Sequence, residues 1–271
     1  MGVFNAARER GVKFSLGDGG AVSQVVYTKG PDGKRKATGV RTRTGVVEAK
    51  LVIVAAGAAA ARLVPECGQQ VVAKAWSVAH VELTPDEVTA LRGIPVTYAR
   101  DLGFFFEPDP KTRLLKLCPM GGGYVNTDTK TGVSLAPERP ADSNFMPLRD
   151  QQQVRRLLAH TLPALKDRPL VRQYLCWFAD TSDSDFIVDY VPETNDSVLL
   201  MSGDSGHGLK FFPTVGNWVR DMLSSPGGKQ PVANFRWKNP SKKEGWGGDV
   251  SWRLGETVEF RDLENPKGAK L

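Results

Sequence analysis

Cysteine is scarce in this chain of 271 residues, which contains three. They stand far apart, at Cys67, Cys118 and Cys176, and none belongs to a CxxC pair. An odd and scattered set of thiols argues against a disulfide framework and against a zinc site, and it is typical of a reducing compartment. The sequence therefore predicts no metal centre.

Long apolar runs are also missing, since no stretch approaches the roughly 20 residues that a membrane-spanning helix needs. The first residues lack the apolar segment and small-residue cleavage site of a secretory signal. The formal net charge of +6 comes partly from basic loop runs such as 34–36 and 242–243, and no basic stripe alternates with aromatic residues. These absences predict neither a membrane nor a nucleic acid partner, and they favour a solvated surface.

A further absence concerns nucleotide binding. No GxGxxG loop follows an N-terminal strand, and the GDGG run at 17–20 is too short and follows the wrong element. Dinucleotide-binding proteins hold the pyrophosphate with such a loop and the helix that follows it. The chain therefore looks like the later part of a nucleotide-binding protein, without its first phosphate-binding unit.

The apolar pattern that is present indicates a mixed α/β fold. The run LVIVAAG at 51–57 predicts a central strand buried on both faces. Aromatic and β-branched residues at 76–83 and 96–117 predict further strands, with a helix start at Thr84 between them. Leucines and a valine at helical spacing predict an amphipathic helix over 149–165.

Other segments have weaker patterns. We expect a short strand at 12–16, an irregular surface excursion over 119–147 and a helix over 213–224. Before that last helix lies MSGDSGHGLKFFP at 201–213, which holds one of the three histidines of the chain and several glycines. A turn so rich in glycine and ionisable groups indicates a close approach of the backbone to a ligand.

These features together resemble the FAD-dependent amine oxidases of the fructosyl amino acid oxidase (amadoriase) and sarcosine oxidase family. The resemblance covers most of residues 1–240. It is carried, in matching order, by LVIVAAG at 51–57, GFFFEP at 103–108 with LKLC at 115–118, LCW at 175–177 with Asp180-Thr181, and GDSGHGLK at 203–210.

The resemblance implies a fold. It predicts the C-terminal portion of a two-domain α/β (mixed α+β) FAD-dependent oxidoreductase. Residues 1–70 and 170–240 would form an incomplete FAD-binding domain, 71–169 a β-rich substrate domain, and 241–271 a C-terminal tail. A truncated paralogue, a fragment or an unusual gene model would each explain the missing first unit.

The resemblance also implies how FAD is held. Cys176 matches the covalent attachment site of the family, and the alternative is an ordinary strand cysteine. Gly206 and Gly208 would let the backbone approach the flavin, and His207 would bond at the ring edge. The remaining residues that the resemblance assigns to the cofactor are Gly57, Gly203, Asp204 and Ser205.

Two lysines match functional positions of the family. Lys116 matches the lysine that promotes the reaction of reduced flavin with dioxygen, because a fixed positive charge stabilises developing negative charge. The alternative is a surface lysine, but Lys116 lies within an apolar strand, where a lysine without a task is costly. Lys210 matches the lysine that pairs with the substrate carboxylate.

The chain departs from the family pattern at two substrate positions. Met120 stands where fructosyl amino acid oxidases have a glutamate that binds the sugar, and its thioether is a poor acceptor for hydroxyl groups. Lys238 stands where the family has an arginine, which removes bidentate carboxylate recognition. A secondary amine of an amino acid is therefore the expected substrate, rather than a sugar amine.

The expected activity is FAD-dependent oxidation of the C–N bond of a secondary amine or N-substituted amino acid by dioxygen, giving an imine and hydrogen peroxide. The alternatives are a catalytically inactive relative that binds no FAD, and a non-enzymatic binding module. Ala269-Lys270-Leu271 resembles the Ser-Lys-Leu address read by the peroxisomal import receptor, which predicts a peroxisomal rather than cytoplasmic protein.

Overall fold

The computed structural model describes residues 2–30, 32–238 and 255–263. The α-helices in these ranges are α1 (Gly2–Glu9), α2 (Ala60–Leu63), α3 (Pro85–Ala90), α4 (Leu148–Thr161) and α5 (Val215–Leu223). The strands are β1 (Val22–Lys29), β2 (Arg35–Thr42), β3 (Gly45–Glu48), β4 (Val52–Val54), β5 (Val72–Glu82), β6 (Thr97–Ala99), β7 (Gly103–Phe105), β8 (Leu114–Pro119), β9 (Tyr124–Val125), β10 (Leu170–Asp180), β11 (Ile187–Tyr190), β12 (Val198–Ser202) and β13 (Val258–Glu259).

The strands form three sheets in the described part of the chain. β1, β2 and β3 make an antiparallel meander, and β11, β12 and β4 make a second three-stranded sheet in which β12 and β4 are parallel. The third, which we call the large sheet, has seven strands in the order β13-β9-β5-β8-β7-β6, with β10 also paired to β5. The confirmed fold class is thus mixed α/β, and the long strand β5 is the centre of the large sheet.

Helix α4 covers one face of the large sheet. Val154, Leu157 and Leu158 recur at helical spacing and are fully buried against the sheet residues Val81 and Leu117, which are also fully buried. Such spacing puts the three apolar side chains on one side of the helix. The helix predicted over 149–165 is confirmed, although it ends at Thr161 and a 3-10 turn follows.

The start of α3 is specified locally. The Glu87 N–H donates to the Thr84 hydroxyl at 3.2 Å, and the Thr84 N–H donates to the Glu87 carboxylate at 2.8 Å. This reciprocal capping box satisfies two backbone donors that the first helical turn leaves without partners. The predicted helix start at Thr84 is therefore confirmed.

Two predicted strands differ from the structure. Residues 12–16 form no strand, and their apolar side chains are exposed, as at Leu16. The run 51–57 contributes only the short β4, whose Ile53 side chain is 45% exposed, so it is not buried on both faces. The reason is that β4 pairs with β12 on one side and lies at the edge of its sheet within the described residues.

The excursion over 119–147 is more deeply packed than the sequence predicts. Its residues Tyr124, Phe145 and Met146 are buried, and β9 joins the large sheet. The predicted tail over 241–271 contains β13, which pairs in parallel with β9. The boundaries of the predicted domains stay a prediction. Strand β10, from the predicted FAD-binding domain, pairs along nearly its whole length with β5, from the predicted substrate domain.

No helix among the described residues is long and apolar enough to cross a membrane.

Candidate functional site

Cross-strand register brings the predicted lysine and cysteine to one face of the large sheet. Lys116 on β8 is paired with His80 on β5, and Cys176 on β10 is paired with Trp76 on β5. Residues that are directly opposite in an antiparallel pair have side chains on the same face, and alternate residues of one strand share a face. His80 and Trp76 are four residues apart, so all of these side chains project to the same side.

We call this side the open face and define it by Trp76, His80, Lys116, Cys176 and Phe178. Unlike the face that α4 covers, it is only partly shielded, and Cys176 is exposed. Phe178 stacks on Trp76 with ring centroids 4.8 Å apart and an interplanar angle of 13°. The open face thus offers a flat aromatic floor beside a cation and an accessible thiol.

The thiol of Cys176 is influenced by the groups around it. Partial removal from water raises the pKa of Cys176, the charge of Lys116 acts in the opposite direction, and the carboxylate of Asp204 raises it further. Such influence requires that the three groups lie within range of one another. The lysine, the cysteine and the glycine-rich turn therefore belong to one neighbourhood.

The lysine end of the open face carries charges of both signs, from Lys116 and Arg172 and from Glu107 and Asp109. A cavity of 440 Å³ lies there, lined by His80, Phe106, Lys116 and Arg172 among others. The Lys116 ammonium lies 5.6 Å from the centre of the Phe106 ring. Burial lowers the pKa of His80, and the charges of Lys116 and Arg172 lower it further, while a hydrogen bond to the Arg172 carbonyl opposes them. A lowered pKa favours the neutral form of His80 near pH 7, so Lys116 and Arg172 are the cations of this group.

The glycine-rich turn after β12 is fixed to the end of β10. The carboxylate of Asp204 accepts the N–H of Ala179 at 3.1 Å and that of Gly206 at 3.0 Å. The Ser205 N–H donates to the Ala179 carbonyl at 2.8 Å, and the buried Ser205 hydroxyl accepts the Thr181 N–H at 3.2 Å. Asp204 and Ser205 thus hold the turn in position, and their side chains are occupied with the backbone.

The glycines of this turn allow its close approach to the aromatic floor. Gly206 has a φ of +77°, and a Cβ there would lie 3.7 Å from the Phe178 ring. At Gly203 (φ +82°) a Cβ would lie 2.8 Å from Thr181, which is closer than side chains tolerate. Left-handed backbone favours glycine, so the turn requires these residues where they stand.

The other predicted residues of the turn, His207, Gly208 and Lys210, lie against residues that do not belong to the open face. The His207 Nε2 lies 2.9 Å from the Ser184 carbonyl, and its ring packs edge-on against Phe186. Gly208 has no room for a side chain beside Asp204, where a Cβ would lie 2.8 Å from the carboxylate stem. Lys210 is exposed, with its ammonium 5.2 Å from the Phe211 ring. Their assignment to cofactor and substrate stays a prediction.

Gly57 begins a 3-10 turn after β4 that packs against β5 and β10, with a φ of +51° and open space where a Cβ would stand. The structure thus brings Gly57 to the strands of the open face, as a cofactor-binding role requires.

Lys238 lies beside the segment that follows β10. Its ammonium forms an ion pair with Asp183 and donates to the Asp185 carbonyl at 3.4 Å. Burial acts to raise the pKa of Asp183, but the Lys238 hydrogen bond and charge hold it below its ordinary value. The predicted contact of Lys238 with a substrate therefore competes with an existing partner.

Met120 is half-buried at the end of β8, where its carbonyl accepts a hydrogen bond from the Gln153 side chain at 2.8 Å. It lines a pocket that also contains Trp76 of the open face. The predicted substrate position and the predicted flavin position are therefore neighbours.

The open face fits a planar aromatic cofactor better than a metal. It provides a stacking floor at Trp76 and Phe178, an accessible thiol at Cys176 and a fixed cation at Lys116. Among the described residues no three His, Cys, Asp or Glu side chains are grouped as a metal would require. The donor set therefore suits a flavin.

Several residues of the site were not predicted from the sequence. The sequence predicts a strand at 76–83 but assigns no site role to Trp76, His80 or Phe178. Their role on the open face depends on the register of β5 with β8 and β10, which involves residues separated by 36 or more positions in the chain. The sequence signal that could have found them is the recurrence of aromatic or ionisable residues at every second position of these strands.

Comparison with known proteins agrees with this geometry. Residues 1–222 match the model of the family described as FAD dependent oxidoreductase. L-saccharopine oxidase of Schizosaccharomyces pombe is 30% identical over 268 residues, which is 95% of this chain and 60% of that protein. N-methyl-L-tryptophan oxidase of Escherichia coli is 28% identical over 200 residues, or 73% of this chain and 50% of that protein.

Comparison with solved structures supports the same family. The fructosyl amine:oxygen oxidoreductase Amadoriase I of Aspergillus fumigatus superposes with a TM-score of 0.83 at 32% identity, covering 96% of this chain and 59% of that one. The chain thus spans about 60% of the length of the relatives that it matches along most of its own length.

Proposed function

From the premise that this chain belongs to the family of FAD-dependent oxidoreductases, we propose that it binds FAD on the open face and oxidises a secondary amine. When bound, FAD would supply an acceptor for one hydride, which carries two electrons, from the carbon next to nitrogen, and dioxygen would take up those two electrons. The balance is CH–NH plus O₂ giving C=N plus H₂O₂, and the imine is hydrolysed by water.

Cys176 is the residue that would tether the cofactor. Its thiol is accessible, and it lies beside the turn at 203–208 and two residues before Phe178. A covalent bond from its Sγ would fix the ring system over the aromatic floor and alter its redox potential.

Lys116 would promote the reaction with dioxygen. Its charge is held on the open face by β8 and is only partly hydrated there. A fixed cation in such surroundings stabilises the negative charge that develops on dioxygen as it is reduced. Lys116 needs no proton transfer for this role.

The substrate that the residues support best is an N-substituted amino acid. Lys210 follows the glycine-rich turn and is exposed, so its ammonium is available for a carboxylate. Met120 provides an apolar wall without a strong acceptor for sugar hydroxyls. The names of the relatives, L-saccharopine oxidase and N-methyl-L-tryptophan oxidase, are consistent with this class.

The observation that carries the proposal is the register that pairs Lys116 with His80 and Cys176 with Trp76, so that both lie on one face of β5. The test is to express the chain with FAD, record its visible spectrum and denature it in acid. We expect a yellow protein whose flavin stays with the polypeptide.

Two variants make this test specific. Cys176→Ala should release the flavin on denaturation, whereas Cys118→Ala, a buried cysteine of the same sheet, should retain it. Retained flavin in Cys176→Ala contradicts the tether, and a colourless chain favours the catalytically inactive alternative.

Activity is measured as peroxide formed from L-saccharopine, N-methyl-L-tryptophan and a fructosyl amine. We expect peroxide from one of the N-substituted amino acids and less from the sugar amine. Lys116→Met should slow reoxidation of the reduced cofactor by dioxygen while leaving its reduction by substrate nearly unchanged. Equal slowing of both half-reactions would contradict the role of Lys116.

We further propose that the peroxisomal import receptor reads Ala269-Lys270-Leu271, which lie outside the described residues. A peroxide-producing oxidase suits that compartment, and the three residues differ from Ser-Lys-Leu at one position. A fluorescent protein fused to the N-terminus should be punctate in cells, and removal of the three residues should make it diffuse. A punctate pattern without them would contradict the address.

A further inference from the structure

A second pocket lies beside the open face, with a volume of 230 Å³. It is formed by the glycine turn at 121–123, the first turn of α4 and the segment 255–256 that precedes β13. We call it the glycine-turn pocket. Pockets for whole drug-sized ligands measure roughly 300–1,000 Å³, so this one suits a small head group of a larger molecule.

The glycine turn gives the pocket a fixed shape. A Cβ on Gly122 would lie 2.5 Å from the Glu256 backbone, and one on Gly123 would lie 3.0 Å from the Trp76 ring. The Thr257 hydroxyl donates to the Gly122 carbonyl at 3.0 Å, and the Val258 N–H donates to that of Gly123 at 3.1 Å. The turn is therefore held tightly between Trp76 and the 255–258 segment.

Arg149 places a guanidinium in this pocket. Its Nε donates to the Tyr124 hydroxyl at 3.0 Å, and the guanidinium carbon lies 4.9 Å over the centre of the Tyr124 ring. These contacts hold one edge of the planar group. The two Nη atoms make no hydrogen bond to another described residue, and such a pre-oriented fork matches the two oxygens of a carboxylate.

The buried carboxylate next to Arg149 forms a long ion pair with its Nε and makes no hydrogen bond to the two Nη atoms. Asp150 accepts hydrogen bonds from the Ser77 hydroxyl and, at 2.6 Å, from the Tyr124 hydroxyl, while the Arg149 Nε is 3.7 Å from its second oxygen. Burial raises the pKa of Asp150, against the effect of these donors. Asp150 thus binds the strands to α4 from the wall of the pocket, with one oxygen occupied by Ser77 and Tyr124.

Glu256 contributes the opposite charge. It is exposed and lines the glycine-turn pocket. The pairing of β13 with β9 keeps its backbone at the pocket wall. A ligand with only a negative group would meet repulsion from Glu256, and an apolar ligand would bury the Arg149 guanidinium without compensation. A head group with both charges satisfies both side chains.

The pocket adjoins the open face at one shared residue, Trp76. Trp76 lines the pocket and is paired with Cys176, and Met120 forms part of its apolar wall. A group bound in the pocket would therefore belong to a substrate whose amine lies over the open face.

We propose that the glycine-turn pocket binds the zwitterionic α-amino carboxylate end of the substrate, with its carboxylate on Arg149 and its ammonium on Glu256. The inference rests on the proposed function for its identification as a substrate subsite. It predicts an N-substituted amino acid that carries a second, free amino acid head group.

The test measures binding without flavin, so that its failure is distinct from failure of the proposed function. The probe is L-2-aminobutyrate, added to ¹⁵N-labelled protein, and the reporter is the Trp76 indole N–H, which donates to the Gly121 carbonyl at 2.9 Å. The signal is assigned by its loss in Trp76→Phe. We expect a saturable shift, and binding at least about tenfold weaker for the N-acetyl and the amide derivatives, which each lack one charge.

Variants assign the two charges. Arg149→Met should weaken aminobutyrate binding about tenfold or more, and Arg149→Lys should recover part of the loss. Glu256→Gln should bind aminobutyrate and its N-acetyl derivative equally, because the carboxylate that favours the ammonium is gone. The matched control is Arg156→Met, an exposed arginine on the same helix, which should bind as the unaltered protein does. An unshifted Trp76 signal, or equal binding by Arg149→Met, overturns the proposal whether or not the chain holds FAD.

Discussion

The two faces of the large sheet are made by the same strands and have opposite properties. On the face under α4, β5 and β8 present Ala79, Val81, Leu115 and Leu117, all fully buried. On the open face, the alternate residues of these strands include His80 and Lys116, which are only half-buried. Because the side-chain period of a strand is two, a single strand serves both purposes without conflict.

This difference separates stability from chemistry along each strand. The covered face is a close-packed hydrocarbon core, where every methylene contributes to folding. The open face carries ionisable groups, whose burial is costly, beside aromatic rings, and both are available to a ligand. Substitutions on the two faces should therefore have different consequences, even at adjacent positions.

The largest effect is expected on the covered face, from Leu117→Ala. The side chain is fully buried among the leucines of α4, so the truncation removes apolar contacts and leaves a cavity, with a loss of about 2–5 kcal/mol in the free energy of unfolding. The adjacent variant Lys116→Met, on the open face, should change it by about 0.5 kcal/mol or less. Urea unfolding of both variants tests the contrast, and equal losses would contradict the assignment of the faces.

A smaller effect is expected where the covered face contains a polar network. Tyr124→Phe removes the 2.6 Å hydrogen bond to buried Asp150, and the loss should be about 1–3 kcal/mol. The folded-state pKa of Asp150 is raised, so stability is full below the ordinary Asp pKa and falls as pH rises through the folded value. Losing a donor to the charged form raises that pKa further.

The cost of Tyr124→Phe should therefore be greater at pH 7 than at pH 4, as measured by urea unfolding at both values. Asp150→Asn in the same background should remove the difference. A cost independent of pH would show that the Tyr124 hydroxyl stabilises the fold without regard to the charge of Asp150.

The aromatic floor of the open face should contribute less again. A double-mutant cycle with Trp76→Leu and Phe178→Leu isolates the stacking of the two rings. Parallel rings with centroids 4.8 Å apart should couple by about 0.5–1.5 kcal/mol. Trp76 and His80, which share the strand without ring contact, provide a control pair that should couple by less than about 0.5 kcal/mol.

The comparison of faces also shows what the sequence could reveal. Local features were accessible, because the capping box at Thr84 and the apolar stripe of α4 depend on residues close in the chain. Lys116 and Cys176 were identified by resemblance to a family, and each has a short motif around it.

Other features were beyond the sequence for physical reasons. The run at 51–57 is apolar enough for a central strand, but burial depends on neighbouring strands, and Ile53 is exposed at the edge of its sheet. The partnership of Trp76 with Cys176 depends on pairing across 100 positions. A shift of that register by one residue would move every side chain to the other face.

The three cysteines differ in burial, and their reactivity tests how accessible the open face is. Burial raises the pKa of Cys67 and of Cys118 to about 12 each, so neither is ionised at pH 8. Cys176 is exposed, and Lys116 partly offsets the rise in its pKa. Because the thiolate is the reactive form, iodoacetamide should label Cys176 first, and faster as the pH rises from 7 to 9.

Lys116→Met raises the thiol pKa of Cys176 further and should slow its labelling about two- to fivefold, which is the effect of one charge at a partly hydrated site. Lys36→Met, on β2 of another sheet, should leave the rate unchanged. Peptide mass mapping identifies the labelled residue. Labelling of Cys118 before Cys176 would contradict the burial of Cys118, and an unaltered rate in Lys116→Met would show that the lysine and the thiol do not share a face.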